Sequence, residues 1–108
     1  MTQYAARFKQ SPAELKRYVL DFSLDLATGE NVSSVVINVV YNSGPIATPL
    51  VVNSVALLPP NAAGQTYGFA FFVSGGSDTS VYEVQFLVTT SLTQVLEEVV
   101  LYTLSEKL

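Results

Sequence analysis

At 108 residues the chain is long enough for one domain with a single two-layer core. It has neither cysteine nor histidine, which excludes disulfides, thiol nucleophiles and the common zinc or copper sites, and removes the usual general base near neutral pH. Its formal charge is −4, and charged residues make up 13% against 49% hydrophobic, about half the ~25% charge of an average soluble domain.

Residues 1–10 show no period and read as an extended arm with Tyr4 and Phe8 as apolar anchors. Ser11-Pro12-Ala13-Glu14 has the spacing of a capping box, with serine at N-cap, proline at N1 and glutamate at N3. A short capped helical turn is expected there, so residues 1–17 are assigned to an N-terminal arm and 18–108 to a β-sandwich domain. Residues 1–17 hold Arg7, Lys9, Lys16 and Arg17 against Glu14, for +3, whereas 18–108 hold Lys107 against eight carboxylates, for −7. A basic arm on an acidic body suits pairing with an acidic neighbour, including a copy of the same chain. The candidate partner-binding residues are therefore Tyr4, Arg7, Phe8, Lys9, Lys16 and Arg17; the alternative is a solvated tail.

From Lys16 to Leu26 the chain alternates, with Tyr18, Leu20, Phe22 and Leu24 on one face, and predicts the first strand. Ala27-Thr28-Gly29-Glu30-Asn31 is a turn with glycine at the φ > 0 position. Val32 to Tyr41 is a β-branched strand, apolar on both faces. Asn42-Ser43-Gly44-Pro45 turns the chain. Two short strands are expected around Leu50–Val52 and Val55–Leu58, before the break at Pro59-Pro60. Thr66 to Ser74 predicts a strand with Tyr67, Phe69, Phe71 and Val73 on one face. Gly75-Gly76 is a loop, and Val95 to Leu104 is the last strand.

The stretch from Asp78 to Val88 organises the rest, with Tyr82, Val84, Phe86 and Val88 on one face and Glu83 and Gln85 on the other. That is the period of a half-buried antiparallel strand. A tyrosine at its start, four residues after Asp78, fits the corner of an immunoglobulin-like sandwich, where the hydroxyl bonds the backbone just upstream. Asp78 and Tyr82 are the candidate structural corner. About seven strands at roughly ten-residue spacing predict an all-β, immunoglobulin-like antiparallel sandwich with an extended N-terminal arm.

Catalysis finds little support. Asp21 and Asp25 would stand roughly 13 Å apart on a strand, Glu97 and Glu98 point to opposite faces, and Asp78 and Glu30 sit in turns. No nucleophile elbow, phosphate loop or calcium-loop spacing occurs. No catalytic, metal or cofactor residue is assigned. The net negative charge disfavours nucleic acid. Prolines interrupt the apolar runs short of ~18 residues, so no membrane span is expected, and the start lacks a signal-peptide core. Between Asn31 and Ser77 no residue is charged, which fits either a well-buried sandwich or a subunit whose surface neighbours cover.

The segments Phe8-Lys9-Gln10-Ser11-Pro12-Ala13-Glu14-Leu15, Tyr18-Val19-Leu20-Asp21-Phe22-Ser23 and Gly29-Glu30-Asn31-Val32 occur in this order. With Val73-Ser74-Gly75-Gly76, Tyr82-Glu83-Val84 and Thr89-Thr90-Ser91 they resemble the small fibre-tail adaptor proteins of tailed bacteriophages. The chain departs from that pattern in having no tryptophan and in carrying Glu97 and Glu98 near the last strand, where the family has a basic residue. The resemblance implies a non-enzymatic virion structural protein, made in the host cytoplasm, that links a fibre or neighbouring ring to the tail or neck. Its implied partners are other virion proteins, and copies of itself are expected in a symmetric assembly. A capsid cement protein is one alternative. A carbohydrate-binding sandwich using Tyr41, Tyr67 and Tyr102 as a sugar platform is another.

Overall fold

A computed structural model describes residues 6–44 and 48–106; Tyr4, Pro45 to Ala47 and Lys107 lie outside them. Seven strands form two sheets packed as a sandwich: β1 (Ala6–Gln10), β2 (Leu15–Asp21), β3 (Val32–Ser43), β4 (Leu50–Leu57), β5 (Gly68–Gly75), β6 (Val81–Thr90) and β7 (Val95–Leu104). One sheet runs β1-β7-β6-β3 and the other β2-β5-β4. All pairings are antiparallel except β1 with β7, which is parallel. No described helix is long and apolar enough to cross a membrane.

The core follows from the alternation. Tyr82, Val84, Phe86 and Val88 of β6 are buried, as are Val100, Tyr102 and Leu104 of β7 and Phe69, Phe71 and Val73 of β5. Phe71 lies 4.9 Å from Phe86 and 5.9 Å from Phe69 between ring centroids, tilted rather than face to face, the geometry that aromatic quadrupoles favour. Phe22 and Val32 close the same core from the ends of the β2–β3 connection.

Four local expectations change. The described part of the segment expected as an extended arm, residues 6–17, enters both sheets. Ala6 to Gln10 pair with Val100 to Leu104, and the 17/18 boundary falls inside β2. The helical turn is instead a single β-turn that keeps only the Glu14 half of a capping box, with Ser11 Oγ accepting from Ala13 N at 3.2 Å rather than from Glu14 N. Ser11 N donates to Glu14 Oε1 at 2.8 Å, and Glu14 N donates to Ser11 O at 3.0 Å. Those bonds satisfy any chain reversal, and the period-two run from Leu15 onward pairs with β5 before a second helical turn can form. The first strand also ends at Asp21, not Leu26. Asp21 Oδ1 accepts from Ser23 N at 2.7 Å, a side-chain turn that ends the strand. The two short strands expected between residues 46 and 58 are one strand, β4, whose register shifts between Asn53 and Ala56, with Ser54 at φ 54°. That is a β-bulge.

Gln10 fastens the crossing from β1 to β2. It is fully buried. Its Nε2 donates to Val73 O at 2.7 Å and Glu14 O at 3.1 Å, and its Oε1 accepts from Tyr18 Oη at 2.7 Å. Burial and then the nearby Glu14 carboxylate raise the pKa of Tyr18, so its hydroxyl stays a donor.

Tyr82 and Tyr102 are register partners across β6 and β7, and both are buried. Tyr82 Oη donates to Thr48 O at 2.8 Å and accepts from Ser77 N at 3.3 Å. Among the described residues Tyr102 Oη has no partner, and burial followed by the neighbouring Tyr18 raises its pKa. Removing the two hydroxyls should therefore act with opposite signs. Tyr82→Phe strands the Ser77 N–H and leaves Thr48 O only the long bond from Ser77 Oγ at 3.5 Å, and should lose about 1–2 kcal/mol, whereas Tyr102→Phe should be neutral or gain up to about 1 kcal/mol. Urea unfolding midpoints compare them directly, and losses of equal size would contradict this assignment.

Candidate functional site

With no cleft of converging acids among the described residues, the candidate surfaces are strand faces, edges and the two ends of the sandwich. Among the described residues no cluster of carboxylates is placed to hold a metal ion.

The uncharged stretch from Asn31 to Ser77 supplies β3, β4 and β5. β3 and β4 are each one edge of their sheet, with β1 and β2 at the other edges. Edge strands usually carry charge or proline to prevent pairing with another chain; β3 runs for twelve residues with neither. On the outer face of the four-stranded sheet, Val36 is 64% exposed beside its cross-strand partner Leu87, itself 44% exposed. The outer face of β2-β5-β4 presents Leu15, Val19 and Val51, all exposed.

The expected arm residues separate. Arg7 and Lys9 occupy outward positions of β1, opposite Leu101 and Thr103. Phe8 turns inward, with its ring centroid 4.7 Å from Tyr18 and 5.5 Å from Tyr102. It is a core residue. Lys16 forms an ion pair with Glu14 at 3.6 Å, and Arg17 is exposed on β2 opposite Phe72. At the corner, the Tyr82 hydroxyl meets Ser77 and Thr48, while Asp78 Oδ1 accepts from Glu106 N at 2.9 Å. The three tyrosines considered for a sugar platform do not share a face. Tyr102 is buried, Tyr41 lies at the β3 terminus, and Tyr67 precedes β5 at the other end of the sandwich.

A cavity of about 240 Å3 opens at the end where β3 finishes and β4 and β6 begin, lined by Val39, Tyr41, Thr48, Pro49, Leu50 and Tyr82. None of these side chains is charged. Tyr41 packs edge-on against Tyr82 and its hydroxyl donates to Gly44 O, so the rim is held by the chain itself.

The opposite end is organised by Glu30 and Asn31. The Glu30 carboxylate accepts from Thr90 Oγ1 at 2.5 Å and Ala27 N at 2.8 Å, and Gln65 Nε2 donates to Glu30 O at 2.6 Å. Asn31 Oδ1 accepts from Thr66 N at 2.7 Å, and Asn31 O accepts from Ser91 N at 2.8 Å. The β2–β3, β4–β5 and β6–β7 connections are thereby tied together. In the sequence Glu30 is an ordinary turn acid, and only the pairing of distant loops reveals its role. The Thr90 hydroxyl, and then Ala27 N–H, lower its pKa against the opposing effect of burial. A lowered folded-state pKa gives stability that is present above the unfolded value and lost as pH falls through the folded one. Thermal melts from neutral pH into acid should therefore fall less steeply for Glu30→Gln than for the wild type; parallel profiles would contradict the linkage.

Residues 10–103 match the family model described as podophage GP4 fiber-tail adaptor protein gp77. No curated protein and no solved structure matches the chain. The matched span begins at the last residue of β1 and ends one residue short of the end of β7, so it takes in both sheets and both ends. The chain belongs to the podophage fibre-tail adaptor family.

Proposed function

We propose that this chain works as a non-enzymatic adaptor in the virion, joining a fibre or a neighbouring ring to the tail or neck by burying surface. The family match across 94 of 108 residues carries the reading. The physical chemistry agrees with it. Two uncharged edge strands and exposed valine and leucine on both outer faces are a liability for a free monomer and are suited to an interface core. An interface of the standard ~1,600 Å² would suffice if repeated by symmetry. The strand order β2-β5-β4 facing β3-β6-β7, with Tyr82 bonded to the loop before its strand, supports an immunoglobulin-like reading of the sandwich.

Exposed Arg7, Lys9 and Arg17 lie on edge strands, where they can meet an acidic partner without the chain unfolding. Phe8 is not available for such a contact. The function follows from shape and burial, and needs no cofactor. Particles assembled without the chain should have tails that lack fibres, counted in negative-stain images. Fibres retained at wild-type number would overturn the proposal and favour a capsid cement role.

A further inference from the structure

The four sheet edges are not equally open to another strand. β1 is five residues long and carries Arg7 and Lys9, and β2 carries Lys16, Arg17 and Asp21. β4 has its bulge between Asn53 and Ala56, with Ser54 at φ 54°, and is flanked by Pro49 and by Pro59-Pro60. Charge, bulges and proline are the devices that stop edge strands from pairing. β3 has none of them from Ser34 to Tyr41, where its register with β6 is unbroken, and no described strand pairs with its other side. The open edge also leaves part of the core uncovered. Val35, Ile37 and Val39 are only half-buried, whereas their cross-strand partners Val88, Phe86 and Val84 are fully buried.

The sequence of β3 selects what fits there. About Asn38 it reads alike in both directions, with Ile37 matching Val39, Val36 matching Val40, Val35 matching Tyr41 and Ser34 matching Asn42. A twofold axis through Asn38, normal to the sheet, sets an antiparallel copy of β3 so that the two members of each match lie opposite one another. Such an axis keeps outer faces on one side, so Val36 meets Val40 of the other copy and Asn38 meets its own equivalent. Moving the axis by one residue sets Asn38 against Val36 or against Val40 instead. Asn38 Nδ2 already donates to Gln85 Oε1 at 3.2 Å, which leaves its second N–H and its side-chain oxygen for the facing amide. Pairing with an unrelated strand needs no such two-way pattern, whereas pairing in register with a second copy does.

We propose that two copies of this chain join edge to edge through β3, antiparallel about Asn38, so that their four-stranded sheets become one continuous sheet. β3 carries no charge, so nothing on it repels its own copy. Ile37 and Val39 carry the inner apolar row across the interface, and each copy covers the half-buried side chains of the other. The contact is isologous and closes at two copies. It deepens the adaptor reading by naming a contact between copies, and rests on that reading only for its setting in the particle.

The chain has no cysteine, so an introduced one reports without background. Asn38→Cys places two thiols opposite each other on the axis, where Cα atoms ~4.5–5.5 Å apart fall within the span of a disulfide. Val36 is 64% exposed, yet Val36→Cys would stand roughly 13 Å along the strand from its equivalent. Oxidised with diamide, purified Asn38→Cys should run as a dimer on non-reducing gels while Val36→Cys stays monomeric; chance collision would link both alike. In sedimentation velocity the wild type should dimerise. Asn38→Lys, which sets two ammonium groups opposite each other on the exposed face, should weaken that association at least tenfold, about 1.4 kcal/mol. Equal cross-linking of the two cysteine variants, or an Asn38→Lys that associates like the wild type, would overturn the proposal. A wild type that stays monomeric at every concentration would also overturn it, and would leave the β3 edge to a strand of another virion protein. None of these results bears on fibre attachment, which the particle assay tests separately.

Discussion

Replacing Phe71 by alanine is expected to lower the folding free energy by about 3–5 kcal/mol, a large share of the ~5–15 kcal/mol that holds a typical domain. Phe71 is fully buried on the central strand of the three-stranded sheet. Its ring lies between Tyr18 at 5.8 Å, Phe69 at 5.9 Å and Phe86 at 4.9 Å, and so bridges the two sheets. Alanine removes the transfer energy of the ring and leaves a cavity that rigid aromatic neighbours cannot close. Chemical denaturation should show a lower midpoint with an unchanged slope. A loss below about 1.5 kcal/mol would mean that the aromatic cluster is looser than its geometry implies.

Gly68→Ala is expected to rank beside it, with a loss of about 3 kcal/mol, at the upper end of ordinary overpacking. A Cβ on Gly68 would stand 2.1 Å from Leu20 O, 3.2 Å from Leu20 C and 3.3 Å from Asp21 Cα. All three are backbone atoms, so no rotamer change relieves the clash. The first residue of β5 would have to part from the last residue of β2, its register partner, and Phe22 would be drawn out of the core with it. Amide exchange should speed up selectively along β2. Wild-type protection there, with an unchanged midpoint, would contradict the packing described. Gly64→Ala is the control, because nothing lies within 4 Å of a Cβ there; its positive φ of 75° should give only the smaller backbone penalty.

The sequence showed most where burial is one-sided and least where distant segments meet. β6 alternates along its length, so its buried face is readable directly, whereas β7 carries Glu97 and Glu98 side by side and is legible as a strand from its β-branched content and hairpin spacing. β1 was not. Ala6-Arg7-Phe8-Lys9-Gln10 is too short to show a period, and its partner lies some ninety residues away. Phe8 therefore looked like an arm anchor, although its ring packs between Tyr18 and Tyr102. The Ser11–Glu14 signature showed the Glu14 side-chain bond and misreported the outcome, because a carboxylate that accepts from the Ser11 N–H closes a β-turn as readily as it opens a helix. The Ser54 bulge has no residue-level mark, since neither glycine nor asparagine occupies the left-handed position. Tyr82 and Tyr102 look alike in sequence, and only the loop that carries Thr48 and Ser77 past one of them distinguishes a bonded hydroxyl from an orphan.

The same limit governed the interaction surfaces. The charge-free run between Asn31 and Ser77 was visible, and folding turns it into two free edges on β3 and β4. Leu24, expected on the first strand, stands exposed in the turn after β2, and the cavity needs the ends of β3, β4 and β6, drawn from residues 39 to 82, to come together. Surfaces built from chain ends that meet only in the fold leave no local pattern.

The most direct test of the adaptor reading is a cryo-EM reconstruction of the intact particle with this chain located and counted. The reading predicts copies arranged with rotational symmetry at the tail or neck, touching fibre density, with β3, β4 or the exposed sheet faces covered by neighbours. Copies spread over the capsid lattice, or a particle that lacks the chain, would contradict it.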